Sequence, residues 1–148
     1  MKWVTRERAK VDRIACPWMI RKFIDPGAEF LYVPADEVLR VAHSVGGVPY
    51  DTPGADLDHY TEAGVEYVTF DALIRKYRLA DPALLELARI VRHADGGSAG
   101  TLEGPGLAAA ATGFRQTATD DFENQRLQFP LYDALYAFCQ RKLADAKS

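Results

Sequence analysis

Cysteine is scarce in this sequence: only Cys16 and Cys139 occur among 148 residues, far apart along the chain. A small secreted scaffold held by disulfides carries many more, so the pattern points to free thiols in a reducing cytoplasm. Long apolar runs are missing too, and none reaches the roughly 18 residues needed to cross a bilayer. The N-terminus lacks the apolar core of a signal peptide, since Val4 is followed by Thr5-Arg6-Glu7-Arg8. No repeat and no low-complexity tract interrupts the chain. Basic excess is also absent: the net charge is −3 and the pI about 5.6. Duplex binding needs a cationic face to displace counterions, so the balance argues against a general nucleic-acid binder. Finally, there is no His-x-x-x-His, no Cys-x-x-Cys and no glycine-rich phosphate loop. Any metal or anion site must therefore be assembled from distant segments.

What is present fits one domain spanning residues 1–148, with 48% hydrophobic and 26% charged residues. Lys2–Thr5 reads as a short strand. The stretch Asp12–Ile24 reads as helical, complicated by Pro17, because proline is comfortable in a first turn and costly inside a helix. Either Asp12 caps the helix and Pro17 kinks it, or the helix proper begins at Pro17 with Cys16 as its cap; the second reading is favoured. Asp25-Pro26-Gly27 stops it. Glu29–Val33 is a strand, and a helix follows to about Ser44, ended by Gly46-Gly47. Its inward positions are Val38, Leu39, Val41 and Ala42. Val48–Asp51 is a short edge strand. Asp56–Thr69 holds two short strands, or a strand and a loop. Helices are expected over Thr69–Tyr77, with Thr69 as cap, and over Pro82–Ala94 behind an Asp81 cap. Asp95–Gly100 is the clearest loop. A small helix over Leu107–Thr112 precedes a last helical region, capped near Asp120-Asp121 and broken or kinked at Pro130. Its apolar part, Leu131–Cys139, reads as core, and Lys142–Ser148 as a fraying end. The fold class is α+β: a small mixed sheet from the N-terminal half and a helical C-terminal half.

Several residues could carry chemistry. At a helix N-terminus beside Arg13, Cys16 has its thiol pKa lowered and becomes a nucleophile, metal ligand or redox sensor; buried, it is inert packing. His59 lies among Asp56, Asp58, Tyr60, Thr61 and Glu62, a setting that suits a metal ligand or an acid–base group. His43 and His93 sit near helix ends and read as structural. Arg6, Arg13 and Arg92 fall near element ends. Converged, they would clamp a tetrahedral oxyanion; separately, they form salt bridges with Asp12, Asp95, Asp120 or Asp121. Asp95 is the carboxylate placed to join His59 at a divalent metal ion.

The chain resembles the C-terminal domain of the ChrB chromate-resistance family. The matching motifs are Trp3-Val4-Thr5-Arg6, the run Asp12-Arg13-Ile14-Ala15-Cys16-Pro17-Trp18-Met19-Ile20-Arg21-Lys22-Phe23-Ile24-Asp25, and Phe30-Leu31-Tyr32-Val33-Pro34. Pro49-Tyr50-Asp51, His59, Phe70-Asp71-Ala72-Leu73, Ile90-Val91-Arg92 with Asp95, Asp120-Asp121 and Tyr132-Asp133-Ala134-Leu135-Tyr136 extend the match over nearly the whole chain. Where the family pattern carries a cysteine before the segment matching Thr69-Phe70-Asp71, this chain has Val68, which removes a His59–Cys metal pair. The resemblance implies a role in sensing or resisting chromate. Full-length regulators carry a further N-terminal region, so DNA binding is not carried over to this segment.

The resulting expectation is a cytoplasmic domain that binds a small oxyanion or a metal ion. Cys16, Arg6 and Arg13 form one wall of the site, and His59, Arg92 and Asp95 the other. The alternatives are a thiol-dependent enzyme for sulfur transfer or reduction, with Cys16 as nucleophile and His59 as base, and a non-catalytic interaction module.

Overall fold

The computed structural model describes residues 1–148. Strand β1 (Lys2–Arg6) runs into a turn and then helix α1 (Asp12–Met19), which continues as a π-helical turn over Ile20–Ile24. Strand β2 (Glu29–Val33) follows, then a 3-10 turn (Ala35–Glu37), helix α2 (Val38–Val45) and strand β3 (Val48–Pro49). A hairpin of β4 (Tyr60–Glu62) and β5 (Val65–Tyr67) leads to α3 (Thr69–Lys76), α4 (Pro82–Ala94), α5 (Gly104–Thr117) and α6 (Asp121–Ala146). The fold is α+β. The expected small sheet is resolved into two parts: a parallel sheet of order β2-β1-β3 and a separate antiparallel hairpin. No helix is long and apolar enough to cross a membrane.

The sheet is short but well anchored. Trp3 and Val4 on β1 are fully buried on opposite faces, as strand alternation requires. Trp3 joins the main core, with Tyr50 against its edge. Val4 packs on Val38 and Ala42 of α2. Leu39, expected inward, is exposed instead, because it lies off the Val38–Ala42 stripe. Gly46 takes the left-handed C-terminal position of α2 at φ 65°.

Pro17 does not start a helix; it sits inside α1, which begins five residues earlier at Asp12. A proline there cannot donate to the carbonyl four residues back, and Arg13 O is left without its helical partner. The Tyr32 hydroxyl from β2 lies 3.1 Å from that carbonyl and 2.9 Å from Gln125 Oε1, so its one proton is shared between the two acceptors and partly takes the missing donor's place. Long-range packing thus supplies part of what the helix loses. The same kind of correction applies at the other end. Helix α6 runs through Pro130 without a break and continues to Ala146, so Lys142–Ala146 is helical rather than frayed. Within Leu131–Cys139 only Tyr132 and Cys139 are buried; Phe138 is exposed. Helix α5 is also longer than its alanine-rich centre suggested.

A polar ladder on α6 fixes the segment that leads into α1. Asn124 Nδ2 donates to Ala9 O, Gln128 Nε2 to Lys10 O and the Tyr132 hydroxyl to Val11 O. Asp120 caps α6 through Glu123 N–H, while Asp121 accepts from Arg8 and Ala9 N–H. These bonds hold the start of α1, and Asp12 with it.

Candidate metal centre

Four segments meet at one point. Asp12 comes from the first turn of α1, Asp51 from the residue pair after β3, His59 from the approach to β4, and Asp95 from the C-terminal end of α4. His59 Nε2 lies 3.3 Å from Asp12 Oδ2, 3.1 Å from Asp51 Oδ1 and 3.4 Å from Asp95 Oδ2. One ring N–H cannot point at three carboxylates at once.

Each carboxylate is held by its own backing. Asp12 is buried and accepts the N–H groups of Thr69 (2.8 Å) and Phe70 (3.0 Å), so it caps α3 from outside. The residue before α3 is Val68, which has no capping side chain; Asp12 does what Thr69 was expected to do. Asp51 is buried at φ 51°, a left-handed conformation that asparagine and aspartate tolerate better than most residues. Thr69 Oγ1 donates to its Oδ1 at 3.0 Å, and Arg13 Nε lies 3.3 Å from its Oδ2. Arg6 donates through Nε to the Asp51 carbonyl at 2.8 Å.

The electrostatics follow from this crowding. Contact with Asp12 and Asp51 pushes His59 up to about 10, against the opposing effect of burial. Burial, with the charges of Asp12 and Asp51, pushes Asp95 up to about 8. Burial also raises Asp12, and the His59 contact only partly offsets it. For Asp51 burial acts upward, but His59, Arg13 and Arg6 outweigh it and the net direction is down. The cluster thus retains protons that the same groups lack in water. A divalent cation could replace them.

The sequence-predicted residues divide into two groups. His59 and Asp95 meet, as a metal pair requires. Arg6 and Arg13 reach the site but face Asp51. Arg13 Nη1 is also spent on the carbonyls of Arg6 and Glu7, 2.7 Å each. Arg92 does not join them: it forms a two-pronged pair with Asp71, at 3.0 and 2.8 Å, on the side of α4 turned to α3. The three guanidinium groups therefore do not converge.

Cys16 lies in the second turn of α1, not at a helix terminus. It is fully buried, and its thiol donates to Asp12 Oδ1 at 3.3 Å. Burial and the nearby carboxylates push its pKa well above that of a free thiol, the reverse of the expected activation. His93 is structural: its Nδ1 accepts Thr101 N–H and lies 2.9 Å from Thr101 Oγ1. His43 is exposed on α2.

Asp12 and Asp51 are the site residues that sequence reasoning passed over. Both stood inside motifs, Asp12-Arg13-Ile14 and Pro49-Tyr50-Asp51, but an aspartate before a helix reads as a cap and one before Thr52-Pro53-Gly54 as a turn. Their shared neighbours, His59 and Thr69, reveal them as a pair.

The donor set Asp12, His59 and Asp95 has one ligand atom each within 4.8 Å of the others, a spacing that atoms around a single ion can adopt. The family model for the ChrB C-terminal domain matches residues 3–139. The chain belongs to the ChrB C-terminal domain family. Protein ChrB of Cupriavidus metallidurans (strain ATCC 43123 / DSM 2839 / NBRC 102507 / CH34) is 33% identical over 122 residues. That match covers 81% of this chain and 35% of the relative, so the chain corresponds to about a third of that ChrB protein. No solved structure matches it. The match to the ChrB C-terminal domain contains all four residues of the cluster.

Proposed function

We propose that this ChrB-family domain binds one divalent cation through Asp12, His59 and Asp95, with Asp51 beside them, and that the bound ion serves sensing or stress protection in chromate resistance. The observation that carries the reading is the convergence of three carboxylates on His59 Nε2 within 3.4 Å. A carboxylate-rich set with one imidazole suits Mn2+, Fe2+ or Zn2+ better than a soft ion that prefers thiolates. The hydrogen bonds behind Asp12 and Asp51 are the kind of outer support that fixes metal ligands.

The oxyanion reading has less behind it, since the N–H groups of Arg6, Arg13 and Arg92 are largely committed to protein acceptors. The thiol-enzyme reading has least, because Cys16 is sealed from solvent and its thiolate is disfavoured.

Calorimetric titration of chelator-treated protein with Mn2+ and Zn2+ tests the proposal. One equivalent should bind, and His59→Gln or Asp95→Asn should weaken it by about 10-fold or more. Absence of binding, or equal binding by both variants, overturns it. The role is tested separately: a strain lacking the protein should regain chromate tolerance with the natural sequence and not with His59→Gln.

A further inference from the structure

His59 is the least supported member of the cluster. Its side chain is 45% exposed, and Nδ1 makes no hydrogen bond to the protein. A metal-bound histidine usually has its second nitrogen held by a carboxylate or carbonyl. Here the ring is held only at Nε2, and its backbone is placed through its chain neighbour, Tyr60, on a hairpin that pairs with no other strand. An isolated two-stranded hairpin is marginal by itself.

Something else holds that hairpin. Tyr60 and Tyr67 are direct cross-strand partners, and their rings stack at 4.8 Å with a 15° interplanar angle. The Arg92 guanidinium lies 4.8 Å from the Tyr67 ring centre, and that of Arg75 lies 5.1 Å from Tyr60. Arg92 is itself immobilised by the two-pronged bond to Asp71 of α3. The ladder thus runs from α4 through both strands to α3. Two of its members adjoin the site: His59 immediately precedes Tyr60, and Asp95 follows Arg92 by less than one helical turn. A second tie lies alongside. Ser98 N–H donates to Glu66 O at 2.8 Å, and Glu66 N–H donates to Ser98 Oγ at 2.9 Å. Gly97 is wedged between the two: a Cβ there would meet Arg92 Cγ at 2.6 Å and Glu66 O at 2.8 Å.

We propose that the Tyr60–Tyr67 stack, held between Arg75 and Arg92, is the positioning element that sets His59 against Asp95, with Tyr67, Arg92 and Gly97 as positioning residues. Its importance for metal affinity rests on the cation reading above. The placement of His59 does not. Each contact in the ladder is individually weak at a partly exposed site. Their effect is geometric: they remove the freedom of a hairpin that has no sheet to join.

Two measurements separate the ideas. The first uses chelator-treated protein and imidazole nitrogen NMR, simple here because the chain has three histidines. The His59 signal should move to the position of an exposed imidazole in Tyr67→Ala and stay in place in Tyr67→Phe, which keeps the ring. Gly97→Ala, which leaves every ladder side chain present, should also displace it and provides the test if Tyr67→Ala does not fold. An unmoved His59 signal in the folded variants overturns the proposal. The second is Mn2+ calorimetry: affinity should fall about 10-fold in Tyr67→Ala and recover in Tyr67→Phe. If His59 is displaced as expected but the natural protein binds no Mn2+, Zn2+ or Fe2+, the positioning role stands and the metal reading falls. If Mn2+ binds equally to natural and Tyr67→Ala protein, the ladder does not serve the site.

Discussion

At the scale of single residues, the molecule turns two familiar sequence signals around. Cys16 stands in the most distinctive motif of the chain, yet its thiol is buried and bonded to Asp12. Cys139, on α6, is pushed up to about 11 by burial and the nearby Glu86 charge. A thiol reacts as its thiolate, so both should be slow toward a thiol reagent at neutral pH in the folded protein. Both should react at once in denaturant. Rapid native modification of Cys16 would show that the α1 packing opens readily. Asp12 gives a second residue-scale expectation. It caps two N–H groups of α3 and contacts His59, so Asp12→Ala removes a cap and exposes two buried donors. Stability should fall by about 2–4 kcal/mol, read from urea unfolding. Asp120→Ala, which removes the exposed cap of α6, should cost only about 1 kcal/mol. The two values falling together would mean that Asp12 has no special place in the structure.

At the scale of elements, Pro17 shows how a tertiary contact supports a helix around an interior proline. Pro17 leaves Arg13 O without its helical donor, and the Tyr32 hydroxyl, shared with Gln125 Oε1, partly fills the gap. Tyr32→Phe removes the donor shared by Arg13 O and Gln125 Oε1 and should therefore cost about 1–3 kcal/mol. In a Pro17→Ala background, where a backbone N–H returns, the same change should cost less. Equal costs in the two backgrounds, measured as a double-mutant cycle, would separate Tyr32 from the proline. Most elements themselves were legible: β2 and α4 have the bounds their patterns suggest, and Asp81-Pro82 marks the start of α4 as a cap and first-turn proline should. The helix start at Asp12 was not, because the residue that compensates Pro17 is on another strand.

For the whole molecule, the cluster at the meeting point of α1, α3, α4 and the hairpin makes stability depend on pH. His59 has an ordinary value of 6.5 and is raised to about 10 in the fold. Its proton thus favours folding fully below pH 6.5, and that contribution is lost as pH rises through about 10. Asp95 acts in the same sense. Its contribution is full below 3.8 and is lost as pH rises through about 8. Chelator-treated protein should therefore lose stability steadily between neutral pH and pH 10, with a falling urea midpoint. His59→Gln should flatten that slope. A midpoint that rises with pH over this interval would contradict the arrangement of charges.

The sequence by itself determined the class of fold, most element boundaries and the family. Those depend on local signals: hydrophobic period, caps, glycine and proline positions, and a contiguous motif near the N-terminus. It also named His59 and Asp95, since each stands in a polar segment next to a regular element. The tertiary structure alone decided which groups face one another. Asp12 and Asp51 become site residues because the fold brings both against His59, with Thr69 at the start of α3 bonding each of them. Arg92 is committed elsewhere, in its two-pronged bond to Asp71. Cys16 is silenced because α1 starts one turn earlier than its proline suggests. Charge and hydrogen-bond energies depend on distances of a few ångströms between residues far apart in the chain, and no local pattern encodes those distances.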